Sequence, residues 1–351
     1  MTVLTRALRG LASVLVAAGL VAAGLGAASP VAAADAPRPL LGGWFGWWVT
    51  PDEARQMAAQ SEGVIPEVSI FWWSFQGEKN SLCTFNPSSG SCWANNPTPW
   101  TTDNLDQVRK ILQGAGIKVQ GSITDVYSGT SGQLAAYLKD PKKRLFYAKR
   151  ITLYALKAGL DGIDLDWENF AFGSNEPGSA VTRPRWIAFV KTLGEQLHAQ
   201  GLTLSATVPG GPAVNDPSTG YDVYAWADII DSVDRLQIMA YDYHGSWSGP
   251  GAIGPNDWAE RVVQRAVTDV GKENADKVWI GAPQYGRTWP IEGAQGWSND
   301  PDCPAGWKPN QTPGVTIMYA SDASHPWRDA SVIAAKQSIE PTWDPTSGEW
   351  H

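Results

Sequence analysis

From Gly43 onward the chain alternates two hydrophobic patterns. Short apolar or alternating runs bounded by Gly, Pro or polar residues predict strands, and longer stretches with apolar residues every three or four positions predict helices. Strands are expected at Gly43–Val49, Val68–Trp73, Ile117–Thr124, Gly162–Glu168, Leu202–Val208, Val233–Tyr241 and Lys277–Pro283. The first helix should open at Thr50, with its hydroxyl as N-cap, Pro51 in the first turn and Asp52 and Glu53 behind it. Further helices are expected over 104–114, 132–159, 184–200 and 256–272; in the first of these Leu105, Val108, Ile111 and Leu112 share a face. Seven strand–helix steps in series predict a parallel sheet, because parallel neighbours need a helical crossover. The expected fold is therefore α/β, a (β/α)8 TIM barrel one strand and helix short of closure. Residues 289–351 scatter Gly, Pro and Trp among short polar runs and read as an irregular segment with no buried eighth strand.

The first 34 residues follow neither pattern. They carry Arg6 and Arg9 and no acid, then an apolar run from Leu11 to Leu25, then Ser29-Pro30-Val31-Ala32-Ala33-Ala34. That layout predicts a cleaved secretory signal, and the apolar run falls short of the roughly 20 residues a spanning helix needs. Two segments result: 1–34 as an export signal and 35–351 as the barrel, secreted and free of the membrane once the signal is removed. In an oxidising compartment Cys83 and Cys92, which flank residues 84–91, are expected to pair, leaving Cys303 over. There is no C-x-x-C pair or His cluster, so no metal site and no cofactor are expected.

Composition narrows the classes. The chain is 43% hydrophobic and 18% charged, enough apolar content to exclude disorder over most of its length. Its net charge is −8 with no Lys/Arg block, which argues against a nucleic-acid partner. Nineteen Trp, with 10 Tyr and 8 Phe, exceed what a core needs, and flat indoles suit sugar faces. Trp44, Trp47, Trp48, Trp72 and Trp73 stand at the ends of the first two expected strands, facing the mouth or the core, and Trp44 is carried forward as a candidate for substrate contact.

Chemistry concentrates in the fourth strand. Asp161-Gly162-Ile163-Asp164-Leu165-Asp166-Trp167-Glu168 holds four carboxylates, and strand alternation puts Asp164, Asp166 and Glu168 on one face, with Ile163, Leu165 and Trp167 on the other. In a barrel both faces are covered, so the acids must line the interior toward the C-terminal mouth where barrel active sites sit. Carboxylates at that spacing repel one another, so at least one should keep its proton near neutrality, as a general acid requires. Asp161 is out of phase and reads as structural.

D-x-x-D-x-D-x-E, standing as Asp161, Asp164, Asp166 and Glu168, resembles the signature of glycoside hydrolase family 18. Gln237-Ile238-Met239-Ala240-Tyr241-Asp242 is similar to that family's Q-x-M-x-Y-D strand, and Lys277 to Gly286 resembles its seventh strand. The resemblance spans about residues 42–290. It implies a secreted glycosidase of chitinase or β-N-acetylglucosaminidase type, using a substrate-assisted retaining mechanism, an exception to the usual two-carboxylate scheme. It implies Glu168 as acid and base, Asp166 as the group that orients the substrate's acetamide, Asp164 as its proton-sharing partner, and Tyr241 as donor to the acetamide carbonyl. Met239, Asp242, Gln237, Trp44 and Tyr285 are then the expected substrate-binding residues. The implied partner is a polysaccharide containing N-acetylglucosamine, in chitin, peptidoglycan or an N-glycan core, bound by a monomer.

Some positions depart from the family pattern. Its third strand usually ends in S-x-G-G, where this chain has Ser122-Ile123-Thr124-Asp125, and Asn169-Phe170 follow Glu168 in place of the Tyr common in chitinases. These departures are similar to the branch of spore-cortex and cell-wall N-acetylglucosaminidases. The alternative is a sugar-binding, non-catalytic relative; such proteins typically lose the terminal acid, which is present here as Glu168.

Overall fold

A computed structural model describes residues 40–46, 49–61, 63–76, 81–86, 91–93, 103–125, 138–172, 179–212, 220–245, 247–288, 316–319, 340 and 342–350. The expected export signal, Trp47, Trp48 and Cys303 lie outside these residues. Strands β1 (Trp44–Phe45), β2 (Glu67–Gln76), β5 (Lys118–Thr124), β6 (Gly162–Asp166), β7 (Thr203–Pro209), β8 (Arg235–Met239) and β9 (Val278–Gly281) lie side by side in that order, each parallel to the next. Helices Pro51–Gln60, Asp103–Gly114, Pro141–Ala158, Ser179–His198, Trp226–Ile229 and Asn256–Val270 stand between them. Seven parallel strands with intervening helices make a half-barrel of the (β/α)8 type, and the described residues contain no eighth barrel strand.

Local chemistry sets these boundaries. Thr50 caps the first helix: its hydroxyl accepts from the Glu53 N–H, the Glu53 carboxylate accepts from the Thr50 N–H, and Pro51 takes the first turn. Asp140 caps Pro141–Ala158, and Gly159 ends that helix in the left-handed conformation at φ 65°. The helix expected over 132–159 therefore starts at Pro141, with residues 132–137 outside the described set.

Three differences from the sequence expectation bear on the site. First, β6 ends at Asp166 and β8 at Met239, so Glu168, Tyr241 and Asp242 emerge on turns beyond their strands. Second, β2 continues into an antiparallel hairpin of β3 (Ser81–Asn86) and β4 (Ser91–Trp93), across part of what reads as loop in the sequence. The backbone register sets Cys92 opposite Phe85 and Cys83 opposite Ser74; the Cys83–Cys92 pairing concerns side chains outside those described. Third, the segment after strand seven is not wholly irregular. β10 (Tyr285–Thr288) pairs antiparallel with β11 (Thr316–Tyr319), and β12 (Trp343–Asp344) with β13 (Glu349–Trp350). That last hairpin is tied to the mouth loop through the Glu349 carboxylate, which accepts from the N–H groups of Ile253 (2.8 Å) and Gly254 (2.6 Å). These strands are short and bounded by Pro and Gly, which hides them from a periodicity search.

Side-chain alternation splits the barrel into a greasy shell and a polar interior. Val119, Ile123, Ile163, Leu165, Leu204, Ala206, Val208, Leu236 and Ile238 are buried in a single core with helix residues such as Ile151, Phe189, Leu193 and Val262. Each such Leu or Ile contributes about 1.5–3 kcal/mol on burial. The opposite faces carry Gln120, Ser122, Thr124, Asp164, Ser205, Thr207 and Gln237, all buried. The barrel floor is closed by an ion pair across the strand starts, Glu67 to Arg235 at 3.3 Å, with the Arg235 guanidinium 5.1 Å from the Trp279 ring centre. Trp279 in turn lies against Gly42: a Cβ there would come within 2.3 Å of the indole, so the approach of β9 to the chain before β1 requires glycine.

Behind β6 sits a knot of aromatic side chains. Trp167 stacks on Phe189 at 5.0 Å and Phe170 on Trp186 at 4.8 Å, and Tyr224 meets both Phe170 and Trp186 edge-on. The Tyr224 hydroxyl donates to the Trp167 carbonyl at 2.8 Å, and the Trp186 indole N–H donates to the Tyr224 carbonyl at 3.1 Å. This knot fixes the turn on which Glu168 stands.

Candidate active site

The acidic residues converge at the C-terminal mouth of the half-barrel, where parallel strands direct their last side chains. Asp164 lies deepest. It is fully buried, and three donors satisfy it: the Trp44 indole N–H (2.9 Å) and Ser122 hydroxyl (3.0 Å) on Oδ2, and the Thr207 hydroxyl (2.7 Å) on Oδ1. Burial raises the Asp164 carboxyl above the usual range, and these hydrogen bonds pull it back.

Asp166, one pleat further up the same face, differs in kind. Its Oδ1 is buried with no hydrogen-bond partner among the described residues. Burial pushes its carboxyl well above the ordinary range, and the charges of Glu168, Asp164 and Asp125 push the same way. Two neighbouring buried carboxyls cannot both ionise cheaply, so Asp164 and Asp166 titrate as a pair. With no protein donor among the described residues, that oxygen can accept from an N–H or O–H brought into the mouth.

Glu168 follows two residues later, on the turn. Burial first, then the negative charges of Asp125 and Asp242, push its carboxyl up to about 7. A carboxyl at that value is part protonated at neutrality and can both give and take a proton. Tyr241, on the turn after β8, faces Asp166 and Glu168; burial and then those two charges hold its hydroxyl well above 10, so it stays a donor. Its ring meets Tyr285 edge-on at 5.9 Å and rests so close to Gly281 that a Cβ there would lie 2.9 Å from it.

Asp242 takes φ 62°, a left-handed conformation that Asp tolerates better than most residues. This turn aims its carboxylate at β10, where Oδ1 accepts from the Tyr285 hydroxyl (2.5 Å) and from Arg287 Nη2 (2.6 Å). The Arg287 side chain is 8% exposed and its guanidinium lies 5.3 Å from the Trp247 ring centre. Met239 ends β8, and Gln237, buried on the same face, pairs in register with Thr207 and Trp279.

The structure thus brings Trp44, Asp164, Asp166, Glu168, Tyr241, Asp242 and Tyr285 together. It gives Trp44 a specific place, as a donor to Asp164. Gln237 and Met239 lie on the inward face of β8, short of its mouth turn. Asp161 is structural, its Oδ2 accepting from the Val119 N–H (2.8 Å) and the Gln113 amide (2.7 Å). Sequence reasoning missed two residues. Arg287 was legible as the next same-face position after Tyr285 in a strand, had β10 been recognised. Asp125 was noticed only as a departure from glycine. Among the described residues no group of three His, Cys, Asp or Glu is placed to hold a metal ion, and no helix is long and apolar enough to cross a membrane.

Comparison with known proteins bears on this arrangement. The family model of glycosyl hydrolases family 18 matches residues 78–349. A protein described as probable chitinase 2 of Drosophila melanogaster is 31% identical over 170 residues, covering 46% of this chain and 33% of that protein. The chain spans less than half the length of curated relatives that it matches. Among solved structures, a chitinase from Chromobacterium violaceum superposes with a TM-score of 0.64 at 20% identity, covering 89% of this chain and 81% of that one. The spore cortex-lytic enzyme SleL of Bacillus cereus superposes with a TM-score of 0.64 at 16% identity, covering 89% and 61%. At those identities the superpositions speak for the fold, while the match over 78–349 covers most of the chain. The chain belongs to glycosyl hydrolases family 18, a chitinase-like glycoside hydrolase family.

Proposed function

We propose that this chain is a secreted, retaining glycosidase that cleaves β-1,4 bonds next to N-acetylglucosamine with help from the substrate's own acetamide. The observation that carries the reading is the buried, unpartnered Oδ1 of Asp166, flanked by Asp164 below and Glu168 above. It suits an acetamide N–H, which would supply the missing hydrogen bond.

In the first step the Glu168 proton passes to the glycosidic oxygen as the C1–O bond breaks. The acetamide carbonyl oxygen attacks C1, forming a cyclic oxazolinium ion. Positive charge develops on the acetamide nitrogen, whose N–H the Asp166 carboxyl accepts, and Asp164 tunes Asp166 as the partner with which it shares a proton. The Tyr241 hydroxyl donates to the acetamide oxygen and orients it. In the second step the Glu168 carboxylate takes a proton from a water that attacks C1 on the face the leaving group vacated. The oxazolinium opens, the acetamide is restored and Glu168 is protonated again. Two displacements at C1 leave its configuration unchanged. Export through the 1–34 segment would bring the enzyme to chitin or peptidoglycan outside the cell.

Mass spectrometry of products tests the reading. The protein from Asp35 onward is incubated with chitin oligosaccharides and, separately, with purified peptidoglycan, beside Glu168→Gln. Products ending in reducing N-acetylglucosamine that vanish in the variant are expected. No product from either polymer, or equal product from the variant, would contradict the proposal.

A further inference from the structure

Asp125 stands directly after β5, where the family pattern has glycine, and it is 1% exposed. Its carboxylate caps the turn after β6. Oδ1 accepts from the backbone N–H groups of Glu168 (2.7 Å) and Asn169 (2.9 Å), and Oδ2 accepts from that of Phe170 (2.7 Å). Three successive amides of one turn thus converge on a single carboxylate from the neighbouring strand. A glycine at 125 offers these amides no such acceptor, and buried amides without partners are costly. On the far side of the turn Tyr224 grips the Trp167 carbonyl, so the segment is held from two directions.

We propose that Asp125 is a positioning residue for Glu168: it pins the turn that presents the Glu168 carboxyl and sets a negative charge beside it, so that Glu168 keeps its proton until the glycosidic oxygen takes it. The inference rests on reading Glu168 as the acid of the reaction. The groups facing Glu168 are Asp125 from the end of β5, Asp166 from its own strand, Tyr241 and Asp242 from the turn after β8, and Tyr224 from the 220–224 segment. Asp242 is paired with Arg287 at 2.6 Å, which offsets its charge. Asp125 is met by amide dipoles. The three amide donors favour the charged form of Asp125, and that charge in turn favours the protonated form of Glu168, the arrangement the first step needs.

The test is a carbon-13 NMR titration of glutamate side-chain carboxyls in the protein without substrate, with the Glu168 signal assigned by its loss in Glu168→Gln. In the wild type the Glu168 signal is expected to titrate well above the ordinary carboxylate range, with a second inflection where Asp125 ionises. Asp125→Asn removes the charge and leaves a single oxygen to accept from the turn; it should lower the Glu168 midpoint by about one pH unit, and the alkaline limb of kcat/KM should move down with it. An unchanged midpoint in folded Asp125→Asn overturns the proposal. If that variant does not fold, the wild-type curve decides alone: a single inflection in the ordinary carboxylate range overturns it. Since the titration needs no substrate, lack of glycosidase activity would defeat the functional reading and leave this result standing.

Discussion

Glu168→Gln is expected to lower kcat by about 10²–10⁴-fold while substrate still binds. Glutamine keeps the size and hydrogen-bonding shape of the side chain but can neither give a proton to a glycosidic oxygen nor take one from water. Both steps of the proposed reaction use that one carboxyl, so the loss should appear in kcat with KM little changed. The wild type adds a pH signature. Glu168 sits at about 7 against an ordinary value of 4.5, so its protonated form is depleted as pH rises through about 7, and kcat/KM should fall on that alkaline side. The same shift has a stability consequence of fixed sign. A carboxyl raised in the folded state favours folding below its unfolded value near 4.5, and that contribution is lost as pH rises through about 7. The glutamine variant carries no such charge and should lose less melting temperature than the wild type between pH 5 and 9. Full activity in the variant would remove Glu168 from the chemistry.

Trp186→Ala is expected to cost about 3–5 kcal/mol of stability. Trp186 is fully buried in the aromatic knot behind β6, stacked on Phe170 and in contact with Trp167 and Tyr224. Truncation opens a cavity under the turn that carries Glu168 and strands the Tyr224 carbonyl that its indole N–H now reaches. Denaturant unfolding should show the full loss. A change below about 1 kcal/mol would mean the knot collapses freely around the gap and is not the rigid support described here. Trp186→Phe should fall between the two, since a ring still fills part of the space.

Sequence pattern carried the barrel because β strands covered on both faces leave a strong mark: Ile163 and Leu165 on one side, Asp164 and Asp166 on the other. All seven parallel strands were legible for that reason. Element ends were not. Trp167 and Glu168 continue the alternation of β6, yet the amides after Asp166 bond to Asp125 and the chain turns. Periodicity records which side chains are buried and is blind to where a backbone amide finds its acceptor. The hairpins at 81–93 and 343–350 escaped because they are short and do not share the barrel's parallel pairing.

Within the site, the three acids and Tyr241 were visible as types at a spacing. Trp44 reads from the sequence only as a residue facing the mouth or the core, and its bond to Asp164 spans 120 residues of sequence and leaves no local trace. Asp125 and Arg287 were hidden for the same reason: each acts on a group more than 40 residues away. What sequence showed as a missing glycine is, in the fold, the acceptor for the turn that holds Glu168.

The central claim is that the substrate's acetamide takes part in bond cleavage, and it is tested most directly by comparing chitin oligosaccharides with fully N-deacetylated oligomers of the same length. Initial rates are followed by mass spectrometry under identical conditions. The account predicts turnover of the acetylated series and none above background for the deacetylated one, because Asp166 would have no acetamide N–H to hold and C1 no internal nucleophile. Cleavage of both series at similar rates would contradict it.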